Sequence, residues 1–187
     1  VSSVLEFELR RISTAEYHRM IEAGVFDGDE RLELLEGVIV PLSPQSPERA
    51  DLIQWLNNTL ARLIGPQYEV RPQLPLTAGE SSEPAPDLAI VPAGRARTRH
   101  PTTALLVIEI ARESLRKDRL LKAGIYARAG VPEYWIVNTA ERCVEFHRDP
   151  DPTAARYATM LTVRPGQELK SASVPGVRLP VGDFFEE

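Results

Sequence analysis

Glu109 lies inside the run Ala104-Leu105-Leu106-Val107-Ile108-Glu109-Ile110-Ala111, with apolar neighbours on both sides. An ionised carboxylate left alone in such surroundings costs several kcal/mol, so it must be paired, protonated or bound to a metal. Asp87 follows Pro84-Ala85-Pro86 and opens the run Asp87-Leu88-Ala89-Ile90-Val91. If the two runs are neighbouring antiparallel strands, Asp87 falls near the Glu109 end of its partner and the acids converge. Two carboxylates a few ångströms apart repel unless a hard cation such as Mg²⁺ or Mn²⁺ lies between them. Lys122 stands thirteen residues after Glu109, on a helix that could return an ammonium to the acids. An acid pair, a divalent ion and a lysine make a hydrolytic site for phosphodiesters. The alternative, on spacing alone, is a structural Glu109–Lys122 ion pair with Asp87 capping a strand.

The elements that must position these residues can be read from periodicity and caps. Ser13-Thr14-Ala15-Glu16 has capping-box spacing, and Gly24 can stop the helix that follows. Arg31 to Leu35 and Val38 to Leu42 read as a hairpin around Glu36-Gly37. Ser46-Pro47 begins a second helix whose apolar positions Leu52, Ile53, Leu56, Leu60, Leu63 and Ile64 share one face, with Gly65 at its end. Tyr68 to Leu76, carrying Pro72 and Pro75, suits an edge strand. The run 104–111 suits a central strand buried on both faces. Leu115 to Ala129 reads as one amphipathic helix ending at Gly130, and Glu133 to Val137 as a further buried strand. Arg142 to Arg148 and Arg156 to Val163 add two strands, and the tail through Val174 to Leu179 is extended. This order predicts an α/β or α+β domain with a central mixed sheet flanked by helices.

Composition limits the function classes. The chain has 187 residues, 43% hydrophobic and 26% charged, with a formal net charge of −5. That suits one soluble globular domain. No apolar run reaches membrane-spanning length, and the N-terminus lacks the basic-then-apolar pattern of a secretory signal, so a cytoplasmic protein is expected. Cys143 is the only cysteine, which excludes an intrachain disulfide; with His18, His100 and His147 it also argues against a Cys/His zinc site. As a lone residue in a strand it reads as inert packing. No phosphate loop, dinucleotide-binding glycine motif or G-x-S-x-G elbow is present. Charge is segregated: residues 95–128 carry +6, against −8 in 1–94 and −3 in 129–187. Arg95, Arg97, Arg99, Arg112, Arg116, Lys117 and Arg119 are therefore candidates for phosphate contact, against the plainer reading of a solvated face. Trp55, Trp135 and Phe184-Phe185 could form a homodimer surface or belong to the core.

Several segments together resemble a known family. They are E-L-L-E-G (33–37), S-P-Q-S-P (43–47), A-P-D-L-A-I-V (85–91), V-I-E-I (107–110) and D-R-L-L-K-A-G-I-Y-A-R-A-G-V-P-E-Y-W-I-V (118–137). In this order the chain resembles the Uma-type family of proposed bacterial restriction endonucleases, part of the P-D…(D/E)-x-K nuclease superfamily. The resemblance extends over about residues 12–185. It implies a single restriction-endonuclease-like domain over 1–187, with 1–11 as an N-terminal extension, and a Mg²⁺- or Mn²⁺-dependent endonuclease acting on DNA. A catalytically silent nucleic-acid- or partner-binding domain that keeps the fold is the alternative. The resemblance carries the metal-binding acids onto Asp87 and Glu109, with the Ile110 carbonyl as a further ligand and Lys122 as the catalytic lysine. Glu33 would add a ligand or a water contact, or be simply a polar position on the hairpin. The superfamily's usual lysine position is Ala111 here. Three positions depart from the family pattern: Glu48-Arg49 where a histidine is common, Arg112 after the buried acid, and Asn138 after W-I-V.

Overall fold

The computed structural model describes residues 9–42, 44–94 and 98–186. Its centre is a mixed six-stranded sheet made of β3 (Tyr68–Pro72), β4 (Leu88–Pro92), β5 (Leu106–Ala111), β6 (Glu133–Asn138), β7 (Cys143–Asp151) and β8 (Arg156–Val163), in that spatial order. Only β5 and β6 run parallel; every other pair is antiparallel. As expected from its prolines, β3 is an edge strand, and β5, buried at every position, is central.

Side chains on β5 alternate between two cores. Leu106, Ile108 and Ile110 face a core that includes Ile53, Leu56 and Leu60 of α2 (Pro47–Leu63) and the C-terminal residues Leu179 and Phe184. Val107 and Ala111 face a second core with Tyr126, Ala127, Tyr134 and Tyr157. Glu109 shares the parity of Val107 and Ala111, so the sheet directs it toward the helix of residues 123–128. Trp135, Phe184 and Phe185 are buried, and Trp55 packs edge-on to Phe184 with centroids 5.5 Å apart. Trp135, Phe184 and Phe185 belong to the core, and Trp55, half-buried, packs against it.

Local signals set the termini of the first two helices. Ser13 caps α1 (Thr14–Glu22): its Oγ accepts the Glu16 N–H at 3.2 Å, and the Glu16 carboxylate accepts the Ser13 N–H at 2.9 Å. Ser46 caps α2 by accepting the Arg49 N–H at 3.3 Å, with Pro47 in the first turn.

The hairpin of β1 (Leu32–Leu35) and β2 (Val38–Pro41) turns on Glu36 (φ 48°) and Gly37 (φ 74°), both left-handed as a two-residue turn of this hand requires. A Cβ on Gly37 would lie 2.6 Å from Arg11 Cβ and 3.0 Å from the Ile12 carbonyl oxygen. Gly37→Ala is therefore expected to destabilise the protein by about 2 kcal/mol, measurable as a shifted urea midpoint with unchanged slope.

The structure departs from the sequence expectation between 115 and 129. The segment comprises α3 (Leu115–Lys117), a π-helical turn (Asp118–Lys122) and α4 (Ala123–Arg128). The Ala123 N–H reaches back to the Asp118 carbonyl, which also accepts the Tyr134 hydroxyl at 3.3 Å. Asp118 and Lys122 are both buried while Leu120 is 70% exposed, the reverse of ordinary amphipathic patterning. The polar groups beneath the helix, described below, account for the inversion. The tail also holds an unforeseen strand pair, β9 (Glu168–Lys170) with β10 (Arg178–Pro180). It is fastened to the sheet by the buried Glu133 carboxylate, which accepts the Ser171 hydroxyl and the N–H groups of Ala172 (2.8 Å) and Ser173 (3.3 Å).

His147 on β7 is 3% exposed between the rings of Tyr134 and Tyr157, and its Nε2 has no hydrogen-bond partner among the described residues. Burial holds its pKa below the ordinary histidine range. Unfolded His147 thus takes up a proton before the folded residue does, so its contribution to stability is complete above the unfolded pKa and declines as pH falls toward the folded one. Denaturation at pH 7.5 and 5.5 should show a stability loss in the wild type that His147→Phe reduces. Among the described residues no helix is long and apolar enough to cross a membrane.

Candidate active site

Continuing the β4–β5 register by one residue, from Leu88 opposite Ile108, sets Asp87 opposite Glu109. Asp87 is 2% exposed and its Oδ2 accepts the Ile110 N–H at 2.7 Å, which fixes the carboxylate against β5. Glu109, also 2% exposed, accepts hydrogen bonds from Lys122 Nζ (2.8 Å) and the Tyr126 hydroxyl (2.9 Å) at Oε1. The acids and the lysine named from the sequence therefore meet at one end of the sheet, where the parallel strands β5 and β6 terminate.

Glu33, on β1, completes the lysine's surroundings. It is wholly buried, and Lys122 Nζ lies 3.0 Å from its Oε2. Lys117 Nζ donates to Oε1 at 3.1 Å and the Ala85 N–H to Oε2 at 3.3 Å. Both oxygens are thus engaged by lysines or backbone. Asp118 accepts the Ser114 hydroxyl at 2.6 Å. Arg49, from the first turn of α2, donates through one terminal nitrogen to both oxygens of Asp87, each at 2.8 Å.

Among the described residues, the site is a dense buried charge cluster with four carboxylates (Glu33, Asp87, Glu109 and Asp118) against three cations (Arg49, Lys117 and Lys122). Burial pushes the Glu109 pKa up to about 8; Lys122 opposes the rise, while Asp118, Asp87 and Glu33 reinforce it. Burial likewise raises Asp118, again against Lys122. Burial would raise Glu33 too, but its two lysines hold it below the usual carboxylate range. Burial disfavours the Lys122 ammonium, yet Glu109, Glu33 and Asp118 outweigh it and hold the proton firmly. A proton taken up at Glu109 therefore relieves the surplus negative charge of the cluster.

A cleft of about 200 Å³ opens above, with Arg49, Ile110, Arg112, Glu113 and Ser114 among its walls. Neither Asp87 nor Glu109 lines it. The basic residues named from the sequence do not form one row. Arg112 borders this cleft and lies 3.5 Å from Glu48. Arg99 lines a separate cleft with His18, Arg71 and Glu83. Lys117 is committed to Glu33, and Arg119 to Glu145 at 2.8 Å. Arg116 is exposed, while Arg95 and Arg97 lie outside the described residues.

A family described as "Putative restriction endonuclease" matches residues 14–182. The chain belongs to this family, Uma2. Its fold is similar to that of a crystal structure described as "a putative nuclease belonging to DUF820" from Anabaena variabilis, with a TM-score of 0.72. The two share 15% identity, and the likeness covers 93% of this chain and 97% of the other. No curated protein matches by sequence.

In this Uma2 chain three residues of the cluster were not singled out as site residues by sequence: Arg49, Asp118 and Tyr126. Asp118, Lys122 and Tyr126 recur every four residues, the spacing of one helical stripe. Arg49 offers no periodic signal, because it arrives from the opposite layer around the strand ends.

Proposed function

We propose that this Uma2 protein is a divalent-metal-dependent nuclease that hydrolyses phosphodiester bonds in DNA. The single observation that supports this most is the meeting of Asp87, Glu109 and Lys122 in one buried cluster, with Lys122 Nζ 2.8 Å from Glu109. The donor set fits a hard cation: carboxylate oxygens in a site short of positive charge, where Glu109 is pushed up to about 8 by burial. Among the described residues, no three His, Cys, Asp or Glu side chains form a metal cage by themselves. Mg²⁺ and Mn²⁺ take one or two carboxylates and keep open positions for water and substrate phosphate, so Asp87 and Glu109 would be enough side-chain ligands. Asp87, Glu109 and the Ile110 carbonyl would hold the ion, which would supply Lewis acidity and neutralise charge at the phosphate.

The remaining chemistry belongs to the chain. Lys122 has three donors, of which Glu33 and Glu109 occupy two; the third can orient a water or a phosphate oxygen. Glu33 is then a positioning residue, holding the ammonium together with Glu109. Tyr126 fixes the orientation of the Glu109 carboxyl.

The test is conversion of supercoiled plasmid to nicked or linear DNA with Mg²⁺ or Mn²⁺. Cleavage should vanish in EDTA and fall by roughly a hundredfold or more in folded Glu109→Gln. Metal-independent cleavage that survives Glu109→Gln would refute the reading. One observation favours a second reading, a DNA-binding domain without catalysis: the guanidinium of Arg49 already occupies both oxygens of Asp87.

A further inference from the structure

We propose that Arg49 is a resident counter-ion, filling the cation position beside Asp87 in the metal-free protein and leaving it when a divalent ion binds. The inference rests on the metal site proposed above and concerns what that site must release. With Arg49 Nη2 at 2.8 Å from both Asp87 oxygens and the Ile110 N–H at 2.7 Å from Oδ2, neither oxygen is unclaimed. A hard cation binding Asp87 needs those same lone pairs, and guanidinium and metal repel each other at such range.

Three features make Arg49 displaceable. It sits in the first turn of α2, where the helix dipole disfavours a cation, so the Asp87 contact must hold it there. It reaches Asp87 through one nitrogen, without the paired two-nitrogen fork that makes arginine–carboxylate contacts strongest, and its buried Nε has no partner among the described residues. Its side chain is 22% exposed and forms part of the cleft wall. Glu48 and Glu113 line the same cleft and offer the freed guanidinium other carboxylates. In that outer position Arg49 would face the space where a substrate phosphate approaches.

The experiment is Mn²⁺ calorimetry on wild type, Arg49→Gln and Asp87→Asn, with thermal unfolding of each protein with and without Mn²⁺. Arg49→Gln should bind Mn²⁺ about tenfold or more tightly than wild type, because an opposing charge has been removed. Its metal-free form should melt lower than wild type, and Mn²⁺ should restore more stability to it than to wild type. A merely structural arginine would lower both stability and affinity. Unchanged or weaker binding in Arg49→Gln, with Asp87-dependent binding in wild type, overturns the counter-ion proposal and leaves the metal site standing. Absence of binding in both wild type and Arg49→Gln overturns the two together. A second readout needs no variant at Arg49: the side-chain nitrogen resonance of Arg49 should move during Mg²⁺ titration of wild type. A resonance that stays fixed while Mg²⁺ binds also refutes the proposal.

Discussion

Lys122→Met is expected to destabilise the protein by about 3–5 kcal/mol near pH 8, the cost typical of removing one partner from a buried ion pair. The magnitude follows from sharing. One ammonium, 2% exposed, serves Glu33 at 3.0 Å and Glu109 at 2.8 Å, and both carboxylates lie far from water. Methionine fills the same volume, so the loss comes from stranded charge rather than a cavity. Without the lysine, Glu33 would lose one of the two cations that hold its folded pKa down, and Glu109, already pushed up to about 8, would rise further. The penalty relative to wild type is therefore full above these raised folded values and is relieved as pH falls through them. Urea unfolding at pH 8 and pH 5 should show the variant closing part of its gap to wild type at the lower pH. A triple variant with Glu33→Gln and Glu109→Gln should recover much of the stability, since neutral amides need no counter-ion. A cost below about 1 kcal/mol at pH 8 would mean the cluster is solvated enough to do without its lysine.

The same contacts explain why a helix in this protein violates the amphipathic rule that its sequence obeys elsewhere. In α2 the buried positions Ile53, Leu56 and Leu60 are apolar, and the helix follows its periodicity. In the segment 115–128 the inward positions Asp118 and Lys122 are charged and Leu120 faces water. The acids beneath outweigh the leucine: leaving Leu120 exposed forgoes about 2 kcal/mol of apolar burial, less than an uncompensated buried carboxylate costs. The π-helical turn lies over the same residues, as such turns often do where function overrides regular packing.

This marks where legibility in the sequence ends. Glu109 stands out because it interrupts an apolar run, and the two-residue period of a strand assigns it a face. Asp87 follows from strand pairing alone, since an antiparallel neighbour fixes which residue lies opposite which. Local chemistry also reveals the caps at Ser13 and Ser46 and the turn at Glu36-Gly37. Partner choice among charges is different. Lys117 and Arg119 belong to a run of net positive charge, but they are claimed by Glu33 and Glu145, which lie 84 and 26 residues away. No local pattern records such a contact. Arg49 is the clearest case: it lies on the polar side of a helix start, and only the arrangement of layers brings it to Asp87, 38 residues later.

Asp87→Asn separates the two roles of the acid that Arg49 holds. The asparagine oxygen can still accept the Ile110 N–H, so the strap to β5 survives, and what is lost is one charge opposite Arg49. Stability should therefore fall by only about 1–2 kcal/mol, less than for Lys122→Met, because Arg49 can turn to the cleft and water. Metal binding should respond far more steeply. A neutral amide oxygen binds a hard divalent ion more weakly than a carboxylate, and it leaves Arg49 without a reason to stay or a charge to yield. Mn²⁺ affinity is expected to drop by about a hundredfold or more, with DNA cleavage falling in parallel. The contrast between a small stability change and a large change in metal binding is what a ligand role requires; a structural ion pair would give the reverse. Wild-type Mn²⁺ affinity in a folded Asp87→Asn protein would remove Asp87 from the metal site. The Arg49–Asp87 pair would then be a clasp between α2 and the sheet, and the nuclease reading would lose one of its two acids.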